Sequence, residues 1–446
     1  MLSRDRRFFA TLRAREFPEL DRRRLVYLDY TGAALPSRTQ LRTHEALMRG
    51  VVLGNPHAEH APSRASTEAI AAARAATLRF LDADPDEYGV CFTANASAAA
   101  KLVAEGFPFR RGSELVLSAD NHNSVNGLRE YARRAGARLR ILPLTPELRL
   151  DEPVAALRRA GLLAFPAQSN FSGVRHPLSL VTEAQRRGYA VLLDAAALVP
   201  TARLSLRETK PEFVTLSYYK VFGFPTGVGA LVARHDALRR LERPWFAGGT
   251  VDWVSVRHRR HRLRSGTEAF EDGTPNYYGI AALTAGFAFL DRLGIARLGR
   301  RVAALTARLL AALQAGRHPG GAPLFQLYGP PDLRERGGAV VFNLLDRRGR
   351  IVPYDVVEMR ARAAGVAVRG GCFCNPGSAE AAFRFPVTAS LRCLRSTTDF
   401  TPRRFARCLG DGTPAGAIRA SVGAATSEDD LRRALMAFSR IAREHG

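Results

Sequence analysis

Hydrophobic and polar positions along the chain fall into two regimes. Between residues 89 and 233 short, continuous apolar runs recur: GVCFT (89–93), ELVLS (114–118), ARLRILP (137–143), LLAFP (162–166), AVLLDA (190–195), FVTLS (213–217) and GVGALVA (227–233). Stretches with helical spacing separate them over 97–106, 123–136, 151–160 and about 177–188. Strands that are apolar throughout belong to sheets covered by helices on both faces. The pattern therefore predicts a large, mostly parallel seven-stranded sheet in an α/β domain. The turn before 227 is too short to hold a crossover helix, so the last strand is expected to run antiparallel to its predecessor. Upstream, residues 1–24 read as a charged arm or short helix, LVYLDY as a short strand, GNPHAEHAPS (54–63) as a loop, and the stretch from there to about Phe80 as a helix with Ile70, Ala73, Thr77, Leu78 and Leu81 in an approximate stripe.

The second regime begins after an irregular connection, 234–276. A helix with Ile280, Leu283, Phe287, Leu290 and Leu293 on one face is predicted to run on through a second, Arg- and Leu-rich helix to about 315. GGAVVFNLLD (337–346), VAVRGG and GAIRASV then read as strands and YDVVEMRARAAG as a helix. Thr426 with Asp429 is expected to cap a last helix that turns Leu431, Leu435, Phe438 and Ile441 inward. Residues 378–415 show no clean period. The expected organisation is an arm (1–24) that joins the small domain, a large domain (25–295) and a smaller α+β domain (296–446).

Composition narrows the function classes. The net charge of +24 invites a nucleic-acid reading, but the arginines are scattered through nearly every predicted helix. The densest run, RHRRHRLR (257–264), has no nucleic-acid motif around it, so an acidic protein partner is the better expectation there. No run reaches the ~18 apolar residues of a membrane span. The N-terminus lacks the apolar core of a signal peptide, which points to a cytoplasmic protein. Five cysteines, an odd number, argue against a disulfide scaffold.

Of 66 basic residues only three are lysines, Lys101, Lys210 and Lys220. Arginine cannot serve as an amine nucleophile near neutral pH, so each lysine is a candidate for chemistry. Lys220 stands just beyond a strand end, in SYYKVFGFPTGVGALV, where aromatic surroundings would lower its pKa and favour a Schiff base. A snorkelling lysine would fit the same window. Asp194 ends the preceding strand, and a lysine with a carboxylate at neighbouring strand ends is what pyridoxal phosphate requires. Asp194 alone would serve equally as a turn or cap residue. TANAS (93–97) offers backbone donors and the Ser97 hydroxyl to a phosphate, His122 could stack on a flat ring, and Gln168 and Asn170 follow a fourth strand. RGGCFCNPGS (369–378) sets Cys372 and Cys374 in a glycine-rich turn beside Arg369. A thiol beside arginine is expected to have a lowered pKa and to be nucleophilic. Half of a zinc site would have the same form, but Cys91, Cys393 and Cys408 form no second knuckle, and no metal is expected. Arg369 and Arg419 could grip a carboxylate as forks.

Together the stretches SYYKVFGFPTGVGALV, NFSGVRHPLS, LLDAAALVPT, FEDGTPNYYG, GCFCNPG and GTPAGAIRASVG resemble the class V, fold-type I pyridoxal-phosphate enzymes. More narrowly, they resemble the cysteine desulfurase-like N-terminal domain of molybdenum cofactor sulfurases. The resemblance covers roughly 25 to 440. It implies that Lys220 holds the cofactor, Asp194 pairs with its ring nitrogen, His122 stacks on the ring and Asn170 lies near the ring hydroxyl. Ala96, Ser97 and Ser217 would receive the phosphate, with Thr274 reaching it from the other subunit of a homodimer. Cys374 would accept sulfur, Arg419 would hold the substrate carboxylate, and Arg369 would flank the cysteine loop.

The chain departs from that pattern at Asn95 and Ser97 in the phosphate turn, at Tyr219 before the lysine, and at Ser378, Ala379 and Glu380 after the cysteine turn. It ends at Gly446, without room for the C-terminal domain that the eukaryotic enzymes use to bind the molybdenum cofactor, which leaves the acceptor open. The implied activity moves sulfur from L-cysteine, through an enzyme persulfide, to an acceptor protein or cofactor. A related lyase of selenocysteine or C–S substrates, an aminotransferase, or a non-catalytic sulfur carrier would share most of these features.

Overall fold

The structure is a computed structural model that describes residues 3–445 apart from 154, 156, 159, 397, 398, 400 and 411. Its strands, in chain order, are β1 (Val26–Tyr27), β2 (Tyr88–Thr93), β3 (Glu114–Ser118), β4 (Arg138–Leu142), β5 (Gly161–Pro166), β6 (Tyr189–Asp194), β7 (Phe213–Ser217) and β8 (Gly229–Arg234), followed by β9 (Val251–Ser255), β10 (Arg260–Leu263), β11 (Phe325–Tyr328), β12 (Ala339–Leu344), β13 (Val366–Ala367), β14 (Arg369–Gly371) and β15 (Ala417–Ser421). Seven of them form one sheet in the order β2-β8-β7-β6-β5-β3-β4. β8 runs antiparallel to both neighbours and the other pairs are parallel, as the short turn before it requires.

Successive residues of these strands enter opposite cores, as the two-residue side-chain period dictates. Val116, Leu163, Phe165, Val191, Leu193, Val214, Leu216 and Val232 belong to one cluster, and Leu115, Leu117, Leu162, Ala164, Leu192, Phe213 and Leu231 to the other. Strand β4 is the edge, and there the pattern relaxes: Leu139 and Ile141 are exposed. A buried carboxylate on β3, Glu114, is satisfied by Arg140 at 2.9 Å and by the Tyr189 hydroxyl at 2.5 Å.

The smaller sheet is antiparallel, in the order β11-β12-β15-β14. The N-terminal segment is tied to it. β1 pairs in parallel with β13, Asp29 forms an isolated bridge to Ser421, and the helix Ser3–Glu16 sends Arg13 into the C-terminal helix Glu428–Glu444, where it meets buried Asp430 at 2.5 Å. The cap of that last helix is Ser427 with Asp430, one residue beyond the Thr426 and Asp429 pairing that the sequence suggests. Thr426 is instead buried, and its hydroxyl accepts from the Gly423 amide.

Other expectations also change. The expected second helix reaches Ala315, but the run after residue 276 is interrupted twice, into Tyr277–Ala281, Leu283–Leu293 and Ile295–Ala315, with a bend of 68° at Gly294. Gly294 has φ +75°, a conformation that ends a helix and that other residues rarely adopt. Among the described residues no single helix is long and apolar enough to cross a membrane. The predicted helix 123–136 is broken at Gly127 into Asn123–Asn126 and Leu128–Arg134. The predicted helix 151–160 falls partly outside the described residues, and the described ones there form turns, bends and irregular chain. The irregular connection contains the β9–β10 hairpin, and the aperiodic stretch 378–415 contains three helices, Pro376–Ala382, Val387–Ser396 and Pro402–Leu409. The last two are joined by a disulfide, Cys393–Cys408, so an odd cysteine count is compatible with one bridge and three free thiols, Cys91, Cys372 and Cys374.

The Arg13–Asp430 pair anchors the N-terminal helix with both side chains almost fully buried. Asp430→Ala leaves a guanidinium in that low-dielectric site and removes half of the helix cap. It is expected to cost about 3 kcal/mol, read as a lower urea midpoint with an unchanged slope.

Candidate active site

The parallel strands share a direction, so their carboxyl ends lie along one rim, and every chemically suggestive loop leaves from it. β3 leads to Asp120, Asn121 and His122; β5 to Gln168 and Asn170; β6 ends on Asp194; and β7 ends on Ser217, followed by a one-turn helix, Tyr218–Phe222, that carries Lys220. β2 runs the same way and delivers Asn95, the cap of the helix Ala96–Gly106. Asn95 accepts from the Ala98 amide at 3.0 Å, and the Ala96 amide donates to Ser217 Oγ at 2.9 Å. The Ser97 and Ser124 hydroxyls lie 2.5 Å apart beside this helix start. Only glycine fits opposite it, since a Cβ on Gly229 would lie 2.5 Å from the Asn95 backbone.

The three lysines now separate. Exposed Lys101 pairs with the largely buried Glu105 at 3.6 Å, and Lys210 forms a surface ion pair with Glu87 at 2.8 Å. Lys220 has no ion pair among the described residues. Removal from water holds its pKa below the ordinary 10.5, Asp194 opposes that shift, and Arg419 and Arg369 add to it. The snorkelling alternative does not fit an amine in that setting. His122 caps its own helix: Nδ1 accepts from the Ser124 amide at 3.1 Å. Its pKa is lowered, first by burial and then by Lys220 and Arg419 against Asp194, which keeps the imidazole neutral. The Asp194 carboxylate accepts from the Ala196 amide at 3.0 Å.

The small sheet contributes the arginines. Register places Arg369 on β14 opposite Arg419 on β15, and both reach Asp29. Arg369 donates from Nε and Nη2 to Asp29 Oδ2 at 3.0 and 2.6 Å. Arg419 is buried: it donates to Asp29 Oδ1 at 3.0 Å and to the Asn170 carbonyl at 2.7 Å, and it lies over the Phe373 ring. Arg369 is thus engaged with Asp29.

The cysteine loop approaches from the same side. Phe373 and Cys374 both have φ +56°, an unusual pair for residues with side chains. Three contacts hold them there: the Asn123 amide donates to the Cys374 carbonyl at 2.7 Å, Asn170 Nδ2 donates to the Phe373 carbonyl at 2.7 Å, and Asn375 Nδ2 donates to Asn170 Oδ1 at 3.0 Å. Beneath the loop lies Asp120, fully buried. Its Oδ1 accepts from Ser169 Oγ (2.7 Å), Asn375 Nδ2 (2.8 Å) and Ser378 Oγ (2.5 Å), while Oδ2 meets His176 Nε2 at 2.7 Å. Cys374 is exposed, whereas Cys372 is turned toward the Ala415 carbonyl at 3.7 Å. Cys372 is not the exposed thiol that the expected lowering concerns: burial pushes its pKa up to about 11, and Glu380 adds to the shift.

The rim therefore gathers Lys220, Asp194, His122, Ala96, Ser97, Ser217, Asn170, Arg419, Arg369 and Cys374. Thr274 lies apart, in a hollow with Thr93, Ala94 and Ala98 on the flank of the same helix start. Asn170 is committed to the cysteine loop through both ends of its amide. The reading from sequence missed Asp29, Asp120 and Asn375, although a carboxylate at the end of an apolar run is the signal that selected Asp194. The donor set suits a phosphorylated aromatic aldehyde: a helix start flanked by hydroxyls, an amine that loses its proton readily, a carboxylate at the next strand end and a neutral imidazole. No cluster of metal-ligating side chains exists among the described residues.

These features define a fold-type I enzyme, and comparison with known proteins agrees. The chain belongs to the aminotransferase class V family, whose profile matches residues 26–433. Among curated proteins it is 33% identical over 435 residues to a molybdenum cofactor sulfurase of Caenorhabditis elegans, a match covering 91% of this chain and 59% of that protein. It is 32% identical to the molybdenum cofactor sulfurase of Homo sapiens, over 94% of this chain and 50% of that protein. The chain thus spans about half to three-fifths of these relatives. Among solved structures it resembles an apo cysteine desulfurase from Thermococcus onnurineus (TM-score 0.82, 24% identity, 97% of this chain and 98% of that one). It also resembles the cysteine desulfurase CsdA of Escherichia coli (TM-score 0.76, 21% identity, 97% and 98%).

Burial of the Lys220 amine has a measurable consequence. Because its pKa is lower in the folded than in the unfolded chain, the cofactor-free protein carries a penalty below the folded pKa that disappears as pH rises toward 10.5. Lys220→Met is expected to raise the melting temperature of the cofactor-free protein at neutral pH, with the gain shrinking as the pH approaches the ordinary lysine value.

Proposed function

We propose that this chain is a pyridoxal-phosphate-dependent L-cysteine desulfurase that passes sulfur onward from Cys374, in a pathway that supplies sulfur to a molybdenum cofactor. The observation that carries the reading is the placement of an exposed cysteine, on a loop held by side-chain contacts, at the rim that also holds Lys220, Arg419 and His122. Similarity to molybdenum cofactor sulfurases over nearly the whole chain supports the choice of pathway.

When bound, pyridoxal phosphate supplies an aldehyde carbon for an amine and a ring that withdraws electrons from the substrate α-carbon. Lys220 is the amine that would hold this aldehyde and would serve as the base for the substrate α-proton, and the lowering of its pKa by burial favours both roles. Asp194 would pair with the ring nitrogen and hold its proton. His122, whose pKa is lowered by burial, would stack on the ring as a flat group. The helix start at Ala96 and Ser97, with Ser217, receives the phosphate. Arg419 receives the substrate carboxylate; it is oriented by Asp29 and the Asn170 carbonyl. The Cys374 thiolate attacks the substrate sulfur. An S–S bond forms as the C–S bond breaks, the electron pair of that bond returns to carbon with a proton, and L-cysteine plus thiol becomes L-alanine plus persulfide.

The reading includes a homodimer. The β9–β10 hairpin exposes Trp253 and Val256, the latter 88% accessible, and lies next in sequence to the stretch bearing Thr274. A two-fold pair would cover these side chains and bring Thr274 to the partner's phosphate site. Thr274→Ala should then weaken cofactor retention in a sedimenting dimer; a fully active monomer would contradict the assembly.

The two cysteines separate the reading from its competitors. After incubation with L-cysteine, alkylation and mass mapping without reductant should find the persulfide on Cys374. Cys374→Ser should abolish sulfide release while cofactor absorbance persists, and Cys372→Ser should retain most activity. Persulfide on Cys372 alone would overturn the assignment.

A further inference from the structure

The helices Val387–Ser396 and Pro402–Leu409 form a hairpin stapled by Cys393–Cys408 and set beside the cysteine loop. Neither the mechanism nor the core uses its outer face. Val387, Leu391 and Leu394, spaced to share one side of the first helix, are 84%, 49% and 52% exposed. A protein seldom leaves a helical apolar stripe in water without use for it. The surroundings are strongly basic: Arg384, Arg392, Arg395, Arg403, Arg404 and Arg407 against a single carboxylate, Asp399, within 384–409. Arg403 pairs with Asp355 and Arg404 with Asp399, but Arg384, Arg392, Arg395 and Arg407 have no carboxylate partner among the described residues.

The hairpin is coupled to Cys374 by a continuous run of rings. Phe405 on the second helix meets Phe385 with centroids 5.5 Å apart, Phe385 meets Phe383 at 5.6 Å, Phe383 meets Phe171 at 6.2 Å, and Phe171 meets Phe373 at 5.3 Å. Phe373 is the residue before Cys374. A body seated on the stripe would therefore rest on a surface packed continuously to the sulfur-bearing loop. The disulfide fixes the two helices together and so presents stripe and arginines as one rigid face.

We propose that this hairpin is the docking surface for the sulfur acceptor, and that the acceptor meets it with an apolar ridge bordered by carboxylates. The inference rests on the desulfurase reading and adds the location and chemistry of the partner. Apolar stripe and unpaired arginines together select an amphipathic acidic protein segment: a small anion would leave the stripe bare, and a neutral ridge would leave the charge unmet.

The probe is a synthetic amphipathic helical peptide with leucines at helical spacing, glutamates along both borders and one cysteine. Its counterpart has lysines in place of the glutamates. Sulfur transfer from persulfide-loaded holoenzyme is followed to each peptide and, in parallel, to dithiothreitol. The glutamate peptide is expected to be sulfurated about tenfold or more faster than the lysine peptide, a preference lost in Leu391→Glu and in the double variant Arg392→Glu, Arg395→Glu. Both variants should keep wild-type transfer to dithiothreitol, cofactor absorbance and sedimentation. Equal rates for the two peptides, or a preference that survives both variants, would overturn the proposal. So would a variant that changes the oligomeric state, which would make the stripe a contact between copies, or loss of binding to anionic phosphatidylserine vesicles with peptide transfer intact, which would make it a membrane surface. Absence of transfer even to dithiothreitol would instead refute the desulfurase reading beneath it.

Discussion

One buried carboxylate does more than any other group to shape this site. Asp120 lies at the carboxyl end of β3, out of reach of water, and accepts hydrogen bonds from Ser169, Asn375 and Ser378 while meeting His176. A charge in that position is tolerable only when its oxygens are fully engaged. Satisfying it therefore fixes three segments at once: the loop after β5, the turn after Cys374 and the extended chain that carries His176. Gly377 completes the fit, because a Cβ there would lie 2.2 Å from the Ala119 carbonyl. The cysteine loop is anchored by this network on its far side and left open at Cys374.

Asp29 plays a parallel part at the other side of the rim. It lies just after β1, in a segment paired with the small sheet, and gathers Arg369 and Arg419. Two guanidiniums that would otherwise repel are held by one carboxylate, and the buried one is aimed by the Asn170 carbonyl. Their field also reaches Lys220. Desolvation lowers its pKa, Arg419 and Arg369 act in the same direction, and Asp194 and Cys374 oppose them. That balance depends on both sheets being in place, since Arg419 and Arg369 come from the smaller one and Asp194 from the larger.

Much of this was legible in the chain. The seven apolar runs became the seven strands, including the antiparallel last one, because a strand covered on both faces must be apolar at every position. Lys220, Asp194, His122 and Asn170 were legible as strand-end residues, and β3, β5, β6 and β7 do bring them to one rim. What was lost is instructive. The helices after 276 read as running on from one into the next, and the sharp turn between them is set by the positive φ at Gly294. The stretch 378–415 reads as aperiodic because its helices are short and their apolar residues face outward, at Val387, Leu391 and Leu394, as well as inward.

The division between the two levels follows from the range of the forces. The succession of strands and helices along the chain, the Schiff-base candidate and the glycine-rich cysteine turn are written in neighbouring residues, since side-chain period, turn chemistry and residue type act locally. The partners of Asp29 and Asp120 could not be read that way. Arg369 lies 340 residues from Asp29, and Asn375 lies 255 from Asp120. Such pairs exist only after two sheets and the N-terminal segment have assembled, because burial gives a long-range hydrogen bond to a charge its strength. The difference between Cys372 and Cys374 is of the same kind. Two residues apart in one turn they are chemically alike, and tertiary structure half-buries the first against Ala415 and leaves the second exposed.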